Sequence, residues 1–210
     1  MNYRTDIYYL ETDDLGKTWR TASGEVVTLP VRNKDSVSRV LVAEPGQNVY
    51  IKGVRFDTEG RPYILYLTSR GPDCGPQNDP RAWKVIHWTG TSWRVVETGI
   101  TGDNNYDFGT LRLESSDTWR ILAATGKGPQ AWNPGGELEL WRTTDAGCTW
   151  GLEKRVTERS LRNMNYAREP VDAQPGFRAF WADGDGRDIS ESRLYYCDET
   201  YSVREMTFQK

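Results

Sequence analysis

Several arginine and tyrosine side chains of this 210-residue chain are of the types that bind an acidic sugar. An arginine guanidinium binds a carboxylate through two parallel hydrogen bonds, and an aromatic ring stacks on the apolar face of a sugar. A tyrosine hydroxyl can also move a proton to or from a bound substrate. The residues that best combine these properties with a place at the start of a loop or strand are Arg70, Tyr106, Tyr166 and Arg168. Their chemistry points to an anionic carbohydrate as the ligand.

The elements that would position these residues are indicated by a phrase that occurs twice, TDDLGKTW from Thr12 and TTDAGCTW from Thr143. Repetition of this kind indicates one supersecondary unit used several times. The aspartate can accept N–H bonds across a tight turn, the glycine can take a positive φ, and the tryptophan can pack a large ring. We therefore predict a hairpin corner at each copy. The residues with this structural role are Asp14, Gly16, Trp19, Asp145, Gly147 and Trp150.

A longer repeat of two successive hairpins surrounds the phrase. It recurs with a step of about 57 residues, the size of a four-stranded propeller blade with long loops. The sequence therefore predicts an all-β fold, a single partial β-propeller of about three and a half four-stranded blades out of about six or seven. The predicted intervals are 1–30 for an outer half-blade and 48–97, 105–156 and 164–208 for whole blades. The open edges of such a set predict self-association.

Composition narrows the classes of partner. Nine tryptophans, eleven tyrosines and twenty glycines suit aromatic strands and frequent turns. The net charge is −3 with acids and bases interspersed, so we predict neither nucleic acid nor a membrane as a partner. The cysteines Cys74, Cys148 and Cys197 lack metal-ligand spacing. We predict no cofactor and leave a structural metal open.

Blade topology predicts that the candidate residues share one face. The turns inside hairpins lie at one end of the blades, and the connections between hairpins and between blades lie at the other end, which we call the loop face. Long loops at one end of a rigid scaffold usually carry the function. With Arg168, the residues expected to bind substrate there are Lys52, Asn105, Lys127, Trp132 and Arg193.

Five phrases give the chain a family resemblance: LYLTSRG, NYDFGTL, TGKGPQ, GGELELW and FWADGDGRDISESRLYY. Together with the repeated phrase, which resembles the Asp-box of the sialidase-like superfamily, they look like the BNR repeat-containing propellers that include ulvan-lyase-type proteins. The resemblance covers nearly the whole chain and corresponds to the C-terminal half of that family. It implies a secreted enzyme that cleaves uronate-containing polysaccharides by β-elimination, although no signal peptide is visible in this chain.

The resemblance also implies roles for three residues. Arg70 would neutralise the uronate carboxylate, and Tyr106 or Tyr166 would transfer protons. Relatives often have histidines where this chain has Asn104 and Met164. Its one histidine, His87, is predicted to lie on a strand at the opposite face from the loops.

Three functions remain open from the sequence. A polysaccharide lyase acting on an acidic glycan comes first, and a non-catalytic propeller that binds a glycan or a protein comes close behind it. A sialidase-like hydrolase would need three arginines around one carboxylate, a tyrosine nucleophile and an acid catalyst. That set cannot be assembled from this sequence, so the hydrolase is the third alternative.

Overall fold

The computed structural model describes residues 4–207, which form an all-β structure with one short 3-10 turn at Pro76–Asn78. A two-stranded sheet is made by β1 (Ile7–Tyr8) and β2 (Arg39–Leu41). The predicted all-β partial propeller is confirmed. Residues 1–3 and 208, which belong to the first and last predicted intervals, lie outside the described residues.

Three four-stranded antiparallel sheets follow, each with its strands in chain order. Blade 1 contains β3 (Asn48–Phe56), β4 (Pro62–Ser69), β5 (Arg81–Trp88) and β6 (Trp93–Gly102). Blade 2 contains β7 (Gly109–Leu113), β8 (Trp119–Gly126), β9 (Glu137–Thr143) and β10 (Gly151–Arg155). Blade 3 contains β11 (Asn163–Arg168), β12 (Ala179–Gly184), β13 (Leu194–Cys197) and β14 (Val203–Glu205). The first strands β3, β7 and β11 contact one another at the inner edge of the blades.

The cores lie between successive sheets, because neighbouring sheets pack face to face. Trp83 and Trp119 are almost fully buried between blades 1 and 2, and Trp181 is buried between blades 2 and 3. Burying one such side chain contributes about 2–3 kcal/mol to stability. Stacked interfaces of this kind hold the inner strands, and hence the site described below, at a fixed spacing.

The segment before blade 1 has an interrupted outer strand. The N–H groups of Tyr9 and Glu11 donate to the carbonyls of Ser38 (2.8 Å) and Arg20 (2.9 Å). Alternate residues of a strand point to the same edge, so residues 20 and 38–41 lie along one side of β1. The chain leaves this strand at residue 21 and returns at residue 38. Strand pairing here therefore extends beyond residue 30, the end of the predicted half-blade.

Both copies of the repeated phrase form the same turn. The Asp14 carboxylate accepts the Thr18 N–H at 2.8 Å, and the Asp145 carboxylate accepts the Thr149 N–H at 2.9 Å. These hydrogen bonds, with the Thr149 hydroxyl as the largest influence on Asp145, lower the pKa of each aspartate to about 2. The glycines of the two turns have φ angles of 84° and 85°.

No helix in the described part of the chain is long and apolar enough to cross a membrane.

Candidate functional site

Equivalent positions on the inner strands of the three blades meet at the loop face. Each blade has a tyrosine near the start of its inner strand, namely Tyr50, Tyr106 and Tyr166. The residues two positions further along are Lys52, Phe108 and Arg168. The Lys52 Nζ lies 4.7 Å and the Arg168 guanidinium carbon 4.5 Å from the centre of the Phe108 ring. We call these six residues, with Arg4, the axial cluster.

Two irregular strands direct side chains into this cluster. The pairing of β3 with β4 shifts register between Ile51 and Gly53, so Lys52 sits in a bulge. The pairing of β11 with β12 shifts between Asn165 and Arg168, and Tyr166 within that shift has a φ of 60°. Bulges re-aim side chains, and a non-glycine residue at positive φ is strained. Both features occur at the inner edge of the blades, where the candidate residues lie.

Lys52 is a buried cation, with only 4% of its surface exposed. Its Nζ donates a hydrogen bond to the Asn105 carbonyl oxygen at 2.7 Å. Burial is the main cause that lowers the pKa of Lys52 to about 7; the charges of Arg168 and Arg4 act in the same direction and the Asp107 carboxylate acts against them. Near neutral pH the charge of this amine therefore responds to small changes in its surroundings.

Arg168 lies beside Lys52 and is partly exposed. Its Nη1 donates to the Lys52 carbonyl oxygen at 2.7 Å, which fixes the guanidinium over the Phe108 ring. Burial, followed by the nearby charge of Arg55, lowers the pKa of Arg168. An arginine stays protonated despite such a shift, so Arg168 is a permanent positive charge of the site.

Tyr106 and Tyr166 are open to solvent, with 45% and 53% of their surfaces exposed. The Tyr166 ring lies 4.9 Å from the Phe108 ring, and the Tyr106 ring meets Tyr50 edge-on at 5.9 Å. Within residues 4–207 neither hydroxyl of the two exposed tyrosines has a hydrogen-bond partner, so both can reach a ligand. Tyr50 is buried, and its hydroxyl accepts a bond from Asn105 at 3.1 Å.

The segment that carries Tyr106 is held by its neighbours. Asn105 is buried, and its amide donates to the carbonyl of Gly71 at 2.9 Å. The Asp107 carboxylate accepts the N–H groups of Asn104 (2.9 Å) and Gly135 (2.8 Å), which joins blade 1, its link and the loop of blade 2. Burial raises the pKa of Asp107 to about 7. Asn105, which the sequence predicts to bind substrate, is buried and has its hydrogen bonds within the fold.

Other candidate residues have their described side-chain contacts outside the axial cluster. Arg70 lines a separate cavity of 530 Å³, and Lys127 lines another of 620 Å³. Arg193 pairs with Glu205 at 3.6 Å. The Trp132 ring lies 5.9 Å from the guanidinium of Arg81. The structure therefore brings together Lys52, Tyr106, Tyr166 and Arg168, and places Arg70 elsewhere on the loop face.

The sequence did not single out Tyr50, Phe108 or Arg4 as site residues. The recurrence of a tyrosine two residues before Lys52, Phe108 and Arg168 is the signal that would have indicated Tyr50 and Phe108.

His87 is a packed core residue. It is 7% exposed and stacks on Tyr63 with ring centres 4.6 Å apart, next to Trp119. Burial lowers its pKa, which favours the neutral imidazole. The described residues also contain no group of three or more histidine, cysteine or acidic side chains arranged to hold a metal ion.

Comparison with known proteins shows which families the chain is similar to. A family model described as BNR repeat-containing family member matches residues 2–99. An ulvan lyase of Alteromonas sp. (strain LOR) is 25% identical over 126 residues, which are 59% of this chain and 26% of the relative. This chain thus spans about a quarter of the curated relative's length.

A solved ulvan lyase, described as a new family of polysaccharide lyase, superposes with a TM-score of 0.71 at 18% identity. The match covers 94% of this chain and 43% of the other. A second structure of an ulvan lyase of that new family, bound to -[GlcA(1-4)Rha3S]-, matches with the same score and coverage. At 18% sequence identity, the structural similarity shows that this chain and the solved ulvan lyase share a fold. These matches confirm the resemblance: over residues 2–99 the chain is similar to BNR repeat-containing family members, and its β-propeller fold is that of the solved ulvan lyases.

Proposed function

We propose that the axial cluster binds a uronate residue of an acidic polysaccharide and forms part of a lyase site that cleaves it by β-elimination. The observation that supports this most directly is the placement of two exposed tyrosines, Tyr106 and Tyr166, around the cations Lys52 and Arg168. The relationship to ulvan lyases, one of which is described as bound to a glucuronate-containing oligosaccharide, supports the same substrate class.

The chemistry follows from what removal of the proton beside a carboxylate requires. A base takes the proton from the carbon next to the carboxylate, and negative charge builds up on the carboxylate oxygens. A fixed cation stabilises that charge. In the proposal Arg168 has this role in place of Arg70, because Arg168 shares the Phe108 ring with Lys52 whereas Arg70 lines a separate cavity.

The tyrosines provide the proton transfers. One hydroxyl, as its phenolate, accepts the proton from the sugar carbon, and the carbon–oxygen bond to the leaving sugar breaks as a carbon–carbon double bond forms. The leaving oxygen takes its proton from the hydroxyl of the other tyrosine, so one tyrosine gains the proton that the sugar carbon loses and the other supplies the proton that the leaving sugar gains. Tyr166 is the better candidate for the base, because the bulge and positive φ hold its ring at 4.9 Å from Phe108, between the cations and solvent.

The test is an assay with ulvan that follows the ultraviolet absorbance of the unsaturated product. Replacing Tyr166 with phenylalanine removes only the hydroxyl, so we expect kcat to fall by about a hundredfold or more. Arg168→Ala should lower kcat and raise KM together. Tyr8→Phe is the matched control, because that exposed hydroxyl donates to the Lys34 carbonyl in the segment before blade 1. Unchanged turnover in Tyr166→Phe and Arg168→Ala would contradict the proposal.

A non-catalytic glycan-binding propeller is the second candidate. It is favoured by the burial of His87 in a core and by Asn104 and Met164 at places where relatives often have histidine. It predicts saturable binding of ulvan without any unsaturated product. Release of new reducing ends without ultraviolet absorbance would instead indicate the sialidase-like hydrolase.

A polysaccharide substrate also implies where the protein works. A polymer of this size stays outside the cell, so we propose that the protein is secreted. Antibody detection of the native protein in culture medium, compared with cell lysate, tests this, and retention of all the protein in the lysate would contradict it.

A further inference from the structure

Two cavities on the loop face are built from equivalent positions of blades 1 and 2. Arg70 follows β4 in the phrase TSRGP, and Lys127 follows the equivalent strand β8 in the phrase TGKGP. Each residue lies at the rim of a cavity, 530 Å³ beside Arg70 and 620 Å³ beside Lys127. The two basic residues are thus related by the blade repeat.

Strand register confirms the equivalence of the cavity floors. In blade 1 the residues across β4, β5 and β6 pair as Tyr66, Lys84 and Glu97. The matching row across β8, β9 and β10 in blade 2 is Ala123, Glu139 and Arg155. Lys84, Glu97, Glu139 and Arg155 all line the cavities. Both cavities therefore open on the same side of their sheets, the side toward the preceding blade.

The charges of the paired strand residues are reversed between the two cavities, whereas Arg70 and Lys127 at the rims are both basic. Lys84 pairs with Glu97 at 2.7 Å in blade 1, whereas Glu139 pairs with Arg155 at 3.6 Å in blade 2. The rim residues Arg70 and Lys127 are both exposed, and neither side chain has a hydrogen bond or ion pair within residues 4–207. A positive rim charge thus recurs without an intramolecular partner to explain it.

In blade 3 the position equivalent to Arg70 and Lys127 has a structural role. Its equivalent residue in the phrase ADGDG is Asp185, which accepts the Asn133 amide at 2.7 Å and the N–H of Arg187 at 3.0 Å. At this position in blade 3 an acidic residue, Asp185, therefore forms hydrogen bonds within the protein. The free cations of blades 1 and 2 have the opposite character, which fits an external anion.

We propose that Arg70 and Lys127 are two anion subsites that bind carboxylate or sulfate groups of one acidic polysaccharide chain, outside the axial cluster. This inference rests on the proposed acidic-glycan ligand. A polymer presents charged groups at regular intervals and can contact successive blades at once. One exposed ion pair contributes little, but a second contact on the same chain forms at high effective concentration. The subsites therefore favour long chains over short ones.

The test compares a polymer with a fragment by titration calorimetry on the 210-residue chain. The probes are ulvan and the disaccharide GlcA-Rha3S, and the variants are Arg70→Ala, Lys127→Ala and both together. We expect each single variant to weaken ulvan binding by about threefold and the double variant by about tenfold or more. Disaccharide binding, which needs only the axial cluster, should stay within about twofold.

Controls separate a specific subsite from general charge. Lys17→Ala removes an equally exposed cation from the opposite face and should leave ulvan binding unchanged. Lys127→Arg and Arg70→Lys should keep most of the affinity. Desulfated ulvan distinguishes the two anions, because the loss caused by the double variant persists if the subsites bind carboxylate and disappears if they bind sulfate.

The outcomes separate this inference from the proposed function. If the unmodified chain binds neither ulvan nor the disaccharide, the proposed function fails. If it binds both and the double variant binds ulvan as tightly as the unmodified chain, the axial site stands and the subsites are overturned. An equal loss of ulvan affinity in Lys17→Ala would also overturn them, since it would show charge attraction without a site.

Discussion

The surroundings of Lys52 oppose its charge. Its amine is buried, has the Asn105 carbonyl oxygen as its hydrogen-bond acceptor, and faces the positive charges of Arg168 and Arg4. The buried carboxylate of Asp107 is the opposing influence. Crowding of cations around one aromatic ring has little structural benefit, but it supplies the field that an anionic ligand would need. The cost of this arrangement should be measurable as a pH-dependent stability.

We expect replacement of Lys52 with methionine to stabilise the protein more at pH 6 than at pH 9. The pKa of Lys52 is about 7 when folded, against an ordinary value of 10.5. Between these two pH values the unfolded chain binds more protons than the folded chain. The free energy of unfolding of the unmodified protein therefore rises with pH through this window, and it stays at its lower value below pH 7. The advantage of the methionine variant should therefore shrink by about 2 kcal/mol from pH 7 to pH 9.

Urea unfolding at several pH values measures this difference, with Lys17→Met as the control for loss of an exposed lysine. An advantage that stays constant with pH would show that Lys52 titrates normally.

At the residue scale the sequence predicted part of the site. Tyr106, Tyr166, Arg168 and Lys52 were all assigned to the loop face. The structure brings Tyr166, Arg168 and Lys52 together around Phe108, and places Tyr106 against Tyr50. The sequence could not show that Arg70 lies apart from them. Blade topology determines the face on which a loop lies, but the distance of a loop residue from the inner strands depends on how the loop folds back.

At the scale of single elements, the two repeated turns have one geometry in two different environments. Gly16 and Gly147 have nearly equal φ angles, 84° and 85°. A methyl group on Gly16 would find only Trp19, at 3.8 Å. A methyl group on Gly147 would lie 2.6 Å from Val96 and 2.8 Å from Trp119, because this turn packs against blade 1. Replacing each glycine with alanine therefore distinguishes the free-energy cost of backbone strain from the cost of overpacking.

We expect Gly147→Ala to destabilise the protein more than Gly16→Ala. Both variants force alanine to positive φ, which costs about 1 kcal/mol. Only the Gly147 variant overpacks an interface between blades, which adds about 1–3 kcal/mol. Equilibrium unfolding in urea gives both values, and equal losses would show that the second turn relaxes away from Trp119.

Local signals were sufficient for these turns but not for the strand that follows the first one. The hydrogen bonds that form each turn join residues of the same eight-residue phrase, so sequence alone predicts the turn. The outer strand beside β1 is instead assembled from Arg20 and from residues 38–41. Pairing between segments so far apart depends on packing against Ile7 and Val40 in the core, which no local pattern reveals.

At the scale of the whole molecule, the repeat explains the architecture. A blade cannot bury both faces alone, so a repeated hairpin pair implies neighbours on either side. That reasoning predicted the partial propeller from the sequence. It also implies an uncovered face on blade 3: Ala179 and Trp181 pack on blade 2, whereas Phe180 between them is 37% exposed. Phe177 stacks on Phe180 and on Tyr196 at 6.1 and 5.5 Å.

The uncovered aromatic face leads us to expect that the 210-residue chain self-associates. Rings that stack on one another and face solvent have the composition of the buried faces between blades, and burying them in a second copy would lower the free energy. Light scattering should give an average mass that rises above that of a monomer with concentration, and Phe180→Ser should reduce the rise. Phe56→Ser removes an equally large exposed ring from the end of β3 and should not. A constant monomer mass, or equal association by both variants, would place any contact elsewhere than on blade 3.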